Sequence, residues 1–224
     1  FEIWKRKGYW EAKPTLVDMQ VDSGQTEPVN VISRLDIAGR TEVVVRYSVY
    51  NSGEIHITTV VNPYESTYIG KIGWLLKMKK NMQDVSWLGT DLETYRDRTH
   101  CAFITRCDHK NIDDLWVPYE VPQENGNRYA TRWMTLTQGG KGILATADSP
   151  FEFTARKYSD RQIHEAPHLS YLEEEDHVTL HLDYENQGVG QSPGRADVLK
   201  PYQVMLRPVT YTLSLQPTNL KQDD

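Results

Sequence analysis

Apolar and polar residues alternate with a period of two along much of this chain. From Glu42 to Asn51, Val43, Val45, Tyr47 and Val49 fall on one side, and Val44, Arg46, Ser48 and Tyr50 on the other. That is the pattern of a strand, whose successive side chains point to opposite faces. Asn51-Ser-Gly53 gives a turn signal, and Ile55, Ile57 and Thr59 alternate again between Glu54 and Val61. The two runs predict a β-hairpin. Further strands are predicted at Thr15–Asp22, Val29–Ile37, Lys71–Lys79, Arg128–Leu136, Gly142–Ala147, Phe151–Lys157, His177–Tyr184, Tyr202–Leu206 and Thr210–Leu215. Clusters of Gly, Pro, Asn and Asp separate them at roughly ten-residue spacing.

Helical signal is thin. Phe1 to Ala12 suits one or two amphipathic turns. Ser159 to Glu165 opens on a Ser/Asp cap and stops before Pro167, which predicts one short helix. No repeat of the length that builds propellers or solenoids is visible. The polar stretch after Pro217 reads as a frayed tail over 217–224. The chain is therefore expected to be all-β, a single large antiparallel β-sandwich domain spanning residues 1–224.

Composition narrows the picture. A length of 224 residues allows one large β domain or two small ones. Apolar residues are only 38%, so 13 Tyr and 6 Trp must supply much of the buried area. A net charge of −6 without a basic stripe excludes a nucleic-acid partner. The lysines of Lys77–Lys80 read as a solvated strand end. No apolar run reaches the ~18 residues that predict a spanning helix, so no membrane segment is expected. Cys101 and Cys107 flank Ala-Phe-Ile-Thr-Arg, a spacing that places both on one strand face. Neighbours on one strand face bridge poorly, so two free thiols are expected, with neither a zinc site nor a cofactor.

The densest chemistry lies at Pro122-Gln-Glu-Asn-Gly-Asn127, followed by Thr131-Arg132-Trp133. Pro122 fixes φ near −65° and Asn125-Gly126 is a tight-turn dipeptide. Glu124 and Asn125 are expected on a constrained loop tip, with Glu124 accepting backbone N–H groups and pairing with Arg128 or Arg132. Trp87 and Trp133 read as core. Trp116 and Tyr119, in the loop before the turn, are the ligand or interface candidates among the aromatics. His177 and His181 share a strand face at i, i+4, and His181 beside Asp183 reads as a hydrogen-bonded strand histidine, not a catalyst.

These segments carry a resemblance. Pro122–Asn127 with Arg132-Trp133 resembles a signature in the C-terminal domain of the β-galactosidases of glycoside hydrolase family 2. Val85-Ser-Trp-Leu-Gly89 and Glu93-Thr-Tyr-Arg-Asp-Arg98 resemble the segment upstream of it, and Leu115-Trp-Val-Pro-Tyr119 the run before the turn. Phe151-Glu-Phe-Thr-Ala155, Tyr158-Ser and Gln187-Gly-Val-Gly190 match downstream, in order.

The resemblance implies a supersandwich like that of galactose mutarotase, and a chain that starts partway into that domain. It further implies a structural and interface role in an enzyme that hydrolyses terminal β-D-galactosides. The partners implied are a catalytic barrel domain or large subunit, further copies in a homo-oligomer, and a galactoside carbohydrate met by the complete enzyme. Whether the soluble parent enzyme is cytoplasmic or periplasmic does not follow from the sequence. The family's catalytic glutamates belong to the barrel, which has no counterpart here. A glycine-rich family loop carries a tryptophan toward the sugar; here Gly188 to Arg195 keeps glycines without the tryptophan. Gln191 and Arg195 in that loop, with Trp116, Tyr119, Glu124 and Asn125, are the residues expected to reach a ligand. The competing readings are a stand-alone carbohydrate-binding module and an aldose-mutarotase-like protein.

Overall fold

The computed structural model describes residues 2–22, 24, 26–190 and 198–219. Its helices are α1 (Glu2–Arg6) and α2 (Asp160–Glu165). The strands are β1 (Thr15–Asp22), β2 (Val29–Ile37), β3 (Thr41–Val49), β4 (Ile55–Pro63), β5 (Thr67–Ile69), β6 (Lys71–Lys79) and β7 (Asp84–Thr90). After them come β8 (Ile104–Asn111), β9 (Arg128–Gln138), β10 (Lys141–Arg156), β11 (His177–Asn186), β12 (Val204–Leu206) and β13 (Val209–Asn219). The paired strands whose register is resolved run antiparallel. The all-β expectation holds. No helix among the described residues is long and apolar enough to cross a membrane.

The chain forms two compact units. The first comprises Phe1–Ile69, Ala145–Asp148 and Met205–Pro217. Its strands order as β1-β2-β3-β4-β13. The hairpin read from the alternation is β3 and β4, with Gly53 at φ 84° in the turn. Val43 and Val45 of β3, Ile57 and Val61 of β4, and Tyr211 and Leu213 of β13 are buried on one face.

The second unit comprises Gly70–Leu144, Ser149–Val204 and Thr218–Asp224. There β11 lies between β6 and β10, and β9, β7 and β8 follow on from β10. Its core holds Trp87, Tyr95, Met134, Leu136, Phe153, Leu180 and Leu182. The Trp87 and Phe153 rings meet edge to face at 5.8 Å, the geometry that aromatic quadrupoles prefer.

Several local expectations change. Gly142–Ala147 and Phe151–Lys157 are one strand, β10, 16 residues long. Its middle, Asp148-Ser-Pro150, is exposed, and there the missing N–H of proline is tolerated. β7 shows no alternation because both its faces are buried. β8 is almost wholly exposed and polar. Cys101 sits in a 3-10 turn (Thr99–Cys101) and Cys107 on β8, so they do not share a strand face, though both are free thiols. Trp87 is core, whereas Trp133 is half-buried with the Arg106 guanidinium 5.8 Å over its ring. Ser159 caps α2 by accepting a hydrogen bond from Gln162 N, as expected. β13 continues through Asn219, past the expected start of the tail at 217; residues 220–224 lie outside the described residues.

Candidate functional site

The segments singled out in the sequence converge within the second unit. Asn125 is fully buried: its Oδ1 accepts from Val117 N at 2.9 Å, and its Nδ2 donates to Val117 O and Gln123 O. A side-chain amide thus stands in for a backbone pairing and closes the loop from 117 to 125. Gly126, at φ 83°, donates its N–H to Glu93 Oε2 at 2.9 Å. A Cβ there would lie 2.8 Å from Leu115 O, so only glycine fits. Asn127, also buried, donates through Nδ2 to Thr94 O at 2.8 Å and to Glu152 Oε2 at 2.6 Å. Thr94 N returns a bond to Asn127 O at 3.0 Å. The 93–98 and 122–127 segments are therefore one bonded structure.

Glu124 sits in an ionic cluster beside this loop. Its Oε1 lies 3.0 Å from Lys71 Nζ, and its Oε2 3.1 Å from Arg156 Nη1. Arg156 also pairs with Asp160, the first residue of α2. His181 Nε2 reaches the other oxygen of Asp160 at 3.1 Å. Burial drives the Glu124 pKa upward, but Lys71 and Arg156 overcome it and hold the group at about 2. Asp160 is likewise held below the ordinary carboxylate range, where Lys71 and His181 prevail over burial. The expected partners of Glu124 are corrected by these contacts. Arg128 instead lies 5.3 Å over the Trp87 ring and donates to Gly126 O, while Arg132 is exposed. The backbone N–H of the turn goes to Glu93.

Two further buried carboxyls behave oppositely. Glu152 accepts from Asn127 Nδ2 and, at 3.0 Å, from Asn186 N. Burial nevertheless pushes its pKa up to about 7. Asp183 is buried, its Oδ2 accepts no hydrogen bond among the described residues, and burial raises it to about 7 against the pull of Lys71 and His181. Both are closed off from solvent, and burial favours their neutral form.

The strand end at Asn186 leads into the glycine loop. Asn186 Nδ2 donates to Glu124 Oε1 at 3.3 Å, and Gly188 N donates to Asn186 Oδ1 at 3.0 Å. Gly188 has φ 68°, and a Cβ on it would strike the Tyr95 ring at 2.5 Å. Arg98 lies 4.9 Å over that ring and donates to Gly190 O at 3.4 Å. Gln191 and Arg195 lie outside the described residues.

Trp116 is half-buried against Tyr158, ring centroids 5.3 Å apart, and Tyr119 is exposed. Leu169 N donates to Glu120 O at 2.8 Å and ties this loop to the 3-10 turn at Leu169–Tyr171. The signal for Glu124 and Asn125 was a local turn motif. The pairing of Glu124 with Lys71 and Arg156, and of Arg156 with Asp160, carried no local signal, because these residues sit on separate strands and a helix end that only the fold assembles.

Two other features hold less. Glu175, Asp176 and His177 place ligand-type atoms within 4.8 Å of one another. They are consecutive residues, with Asp176 in solvent, bonded to His177, and Glu175 taking a bond from Gln162. A groove lined by Gln83, Asp84, His109, Asn111 and Gln138 is open and polar. Its lining has no Trp, Tyr or Phe on which a sugar face could stack.

The antiparallel β architecture is galactose-mutarotase-like in fold. A galactose 1-epimerase from Lactobacillus acidophilus NCFM aligns with TM-score 0.51 at 10% identity, over 91% of this chain and 67% of that one. The family model for the β-galactosidase small chain matches residues 1–215, and the chain belongs to that family. Its relatives include β-galactosidases of Actinobacillus pleuropneumoniae (25% identical over 91% of this chain), Staphylococcus xylosus (24% over 95%) and Priestia megaterium strain DSM 319 / IMG 1521 (31% over 77%). The chain spans 20%, 22% and 17% of their respective lengths, about a fifth.

Proposed function

We propose that this chain is the scaffolding and interface portion of a β-galactosidase whose reacting acids lie in another part of the enzyme. The complete enzyme hydrolyses terminal β-D-galactosides. A retaining glycosidase needs two accessible carboxyls about 5 Å apart, one of them able to donate a proton. The observation that carries the reading is the commitment of Glu124: two cations lie on its two oxygens and hold it ionised. It cannot donate a proton at neutral pH, and the two described carboxyls that burial raises to about 7, Glu152 and Asp183, are buried.

On this reading the ionic cluster works as a clamp. It fixes the loop that carries Trp116 and Tyr119 and the strand end before Gly188, and these present contacts to the galactoside pocket of the complete enzyme. The partner is a catalytic barrel, on the same chain or a large subunit. Complementation tests this. A β-galactosidase polypeptide ending before this domain should gain hydrolysis of a chromogenic galactoside when the present chain is added. No gain at saturating chain would contradict the proposal.

A further inference from the structure

The core face of the first unit runs out uncovered at β1. The strand registers set residues of five strands into rows across the sheet. One row is Tyr211, Thr59, Val45, Ser33 and Met19. The next is Leu213, Ile57, Tyr47, Val31 and Val21. Val45 is 0% exposed, whereas Met19 is 56% and Val21 58% exposed. A bulge at Val17 keeps Leu16 in phase with them, opposite Leu35 and in the row of buried Val43. Leu16, Met19 and Val21 therefore continue an apolar face that is buried two strands further in.

β1 also ends the strand order, and among the described residues it pairs with β2 alone. Edge strands are normally blunted by lysine or other inward charge. The opposite edge, β8, carries Arg106, Asp108, His109 and Lys110. β1 carries Asp18 and Asp22 and no cation, and Asp18, Gln20 and Asp22 alternate away from the apolar face. A stripe of this kind marks an interaction surface.

We propose that the β1 edge is the seam on which a β-galactosidase segment outside these 224 residues docks, covering Leu16, Met19 and Val21 with apolar side chains. The relatives carry about four-fifths of their length beyond the region matched here, which supplies such a segment. The two aspartates and the absence of a cation favour lysine or arginine at its margins. The inference rests on the reading that this chain works within a larger β-galactosidase.

The test is amide hydrogen exchange over residues 15–22, in the complete β-galactosidase and in the 224-residue chain alone, with galactoside hydrolysis recorded in parallel. The expected result is protection at least tenfold greater in the complete enzyme. Met19→Asp with Val21→Asp should abolish that gain, leaving the melting temperature of the isolated chain unchanged. Ile104→Asp on β8, equally exposed, should leave the gain intact. Equal exchange in both forms of an active enzyme would overturn the docking seam and spare the functional reading. An inactive complete enzyme would sink both. Protection in the isolated chain that rises with its own concentration would assign the edge to a second copy and overturn the proposal.

Discussion

Arg156 and Glu124 form an ion pair of 3.1 Å in which the arginine side chain is 1% exposed. Glu124 Oε1 is taken by Lys71 and Asn186, so removing its charge leaves two cations short of a counterion. Breaking a buried pair from one side costs about 3–5 kcal/mol. Glu124→Gln should lower stability by that order in urea unfolding, with the loss confined to the second unit. A change under about 1 kcal/mol would show that the cluster does not clamp the loop.

The carboxyls of this unit give opposite pH dependences. Glu124 has a folded pKa of about 2, below its unfolded value. Its contribution is present above about pH 4.5 and is lost as pH falls toward 2. Glu152 has a folded pKa of about 7, above its unfolded value, and the sign reverses. Its protonated form is accommodated fully below about pH 4.5, and stability falls as pH rises toward 7. Glu152→Gln should flatten that fall by roughly 3 kcal/mol, the shift converted at 1.36 kcal/mol per unit. Melting temperatures across pH 4.5 to 7.5 check it; an unchanged slope would mean Glu152 is ionised when folded.

Gly188 faces a steric and a conformational demand together. Alanine there would bring a methyl within 2.5 Å of Tyr95 at φ 68°. Gly188→Ala should cost about 1–3 kcal/mol and loosen the Arg98 hold on Gly190. Faster amide exchange over 186–190, with unaltered exchange in β6, is the expected signature. Tyr95→Leu in the same background should recover only part of the loss, because the backbone strain remains.

β3 and β4 were legible because each presents one covered and one more open face, which writes alternation into the sequence. β1, β2 and β6 match their expected limits. β7 escaped notice because burial on both faces removes the alternation, and the limits of β8 were missed because exposure on both faces does the same from the polar side. The Pro122–Asn127 turn was legible as local chemistry. Its energetic centre was not, since Glu124 pairs with Lys71 on β6 and Arg156 at the end of β10. No local rule links a loop carboxylate to strands that antiparallel pairing brings beside it. The aspartate that opens α2 was read as a cap and proves also to be a counterion to Arg156.

The central claim is that this chain holds the sugar-cleaving site in shape and contributes no reacting acid. Its most direct measurement is turnover of a chromogenic β-galactoside by the purified 224-residue chain at saturating substrate. The account predicts a rate no higher than the buffer background from pH 4 to 8. Turnover that Glu152→Gln, Asp183→Asn or Glu124→Gln abolishes while the chain stays folded would contradict it.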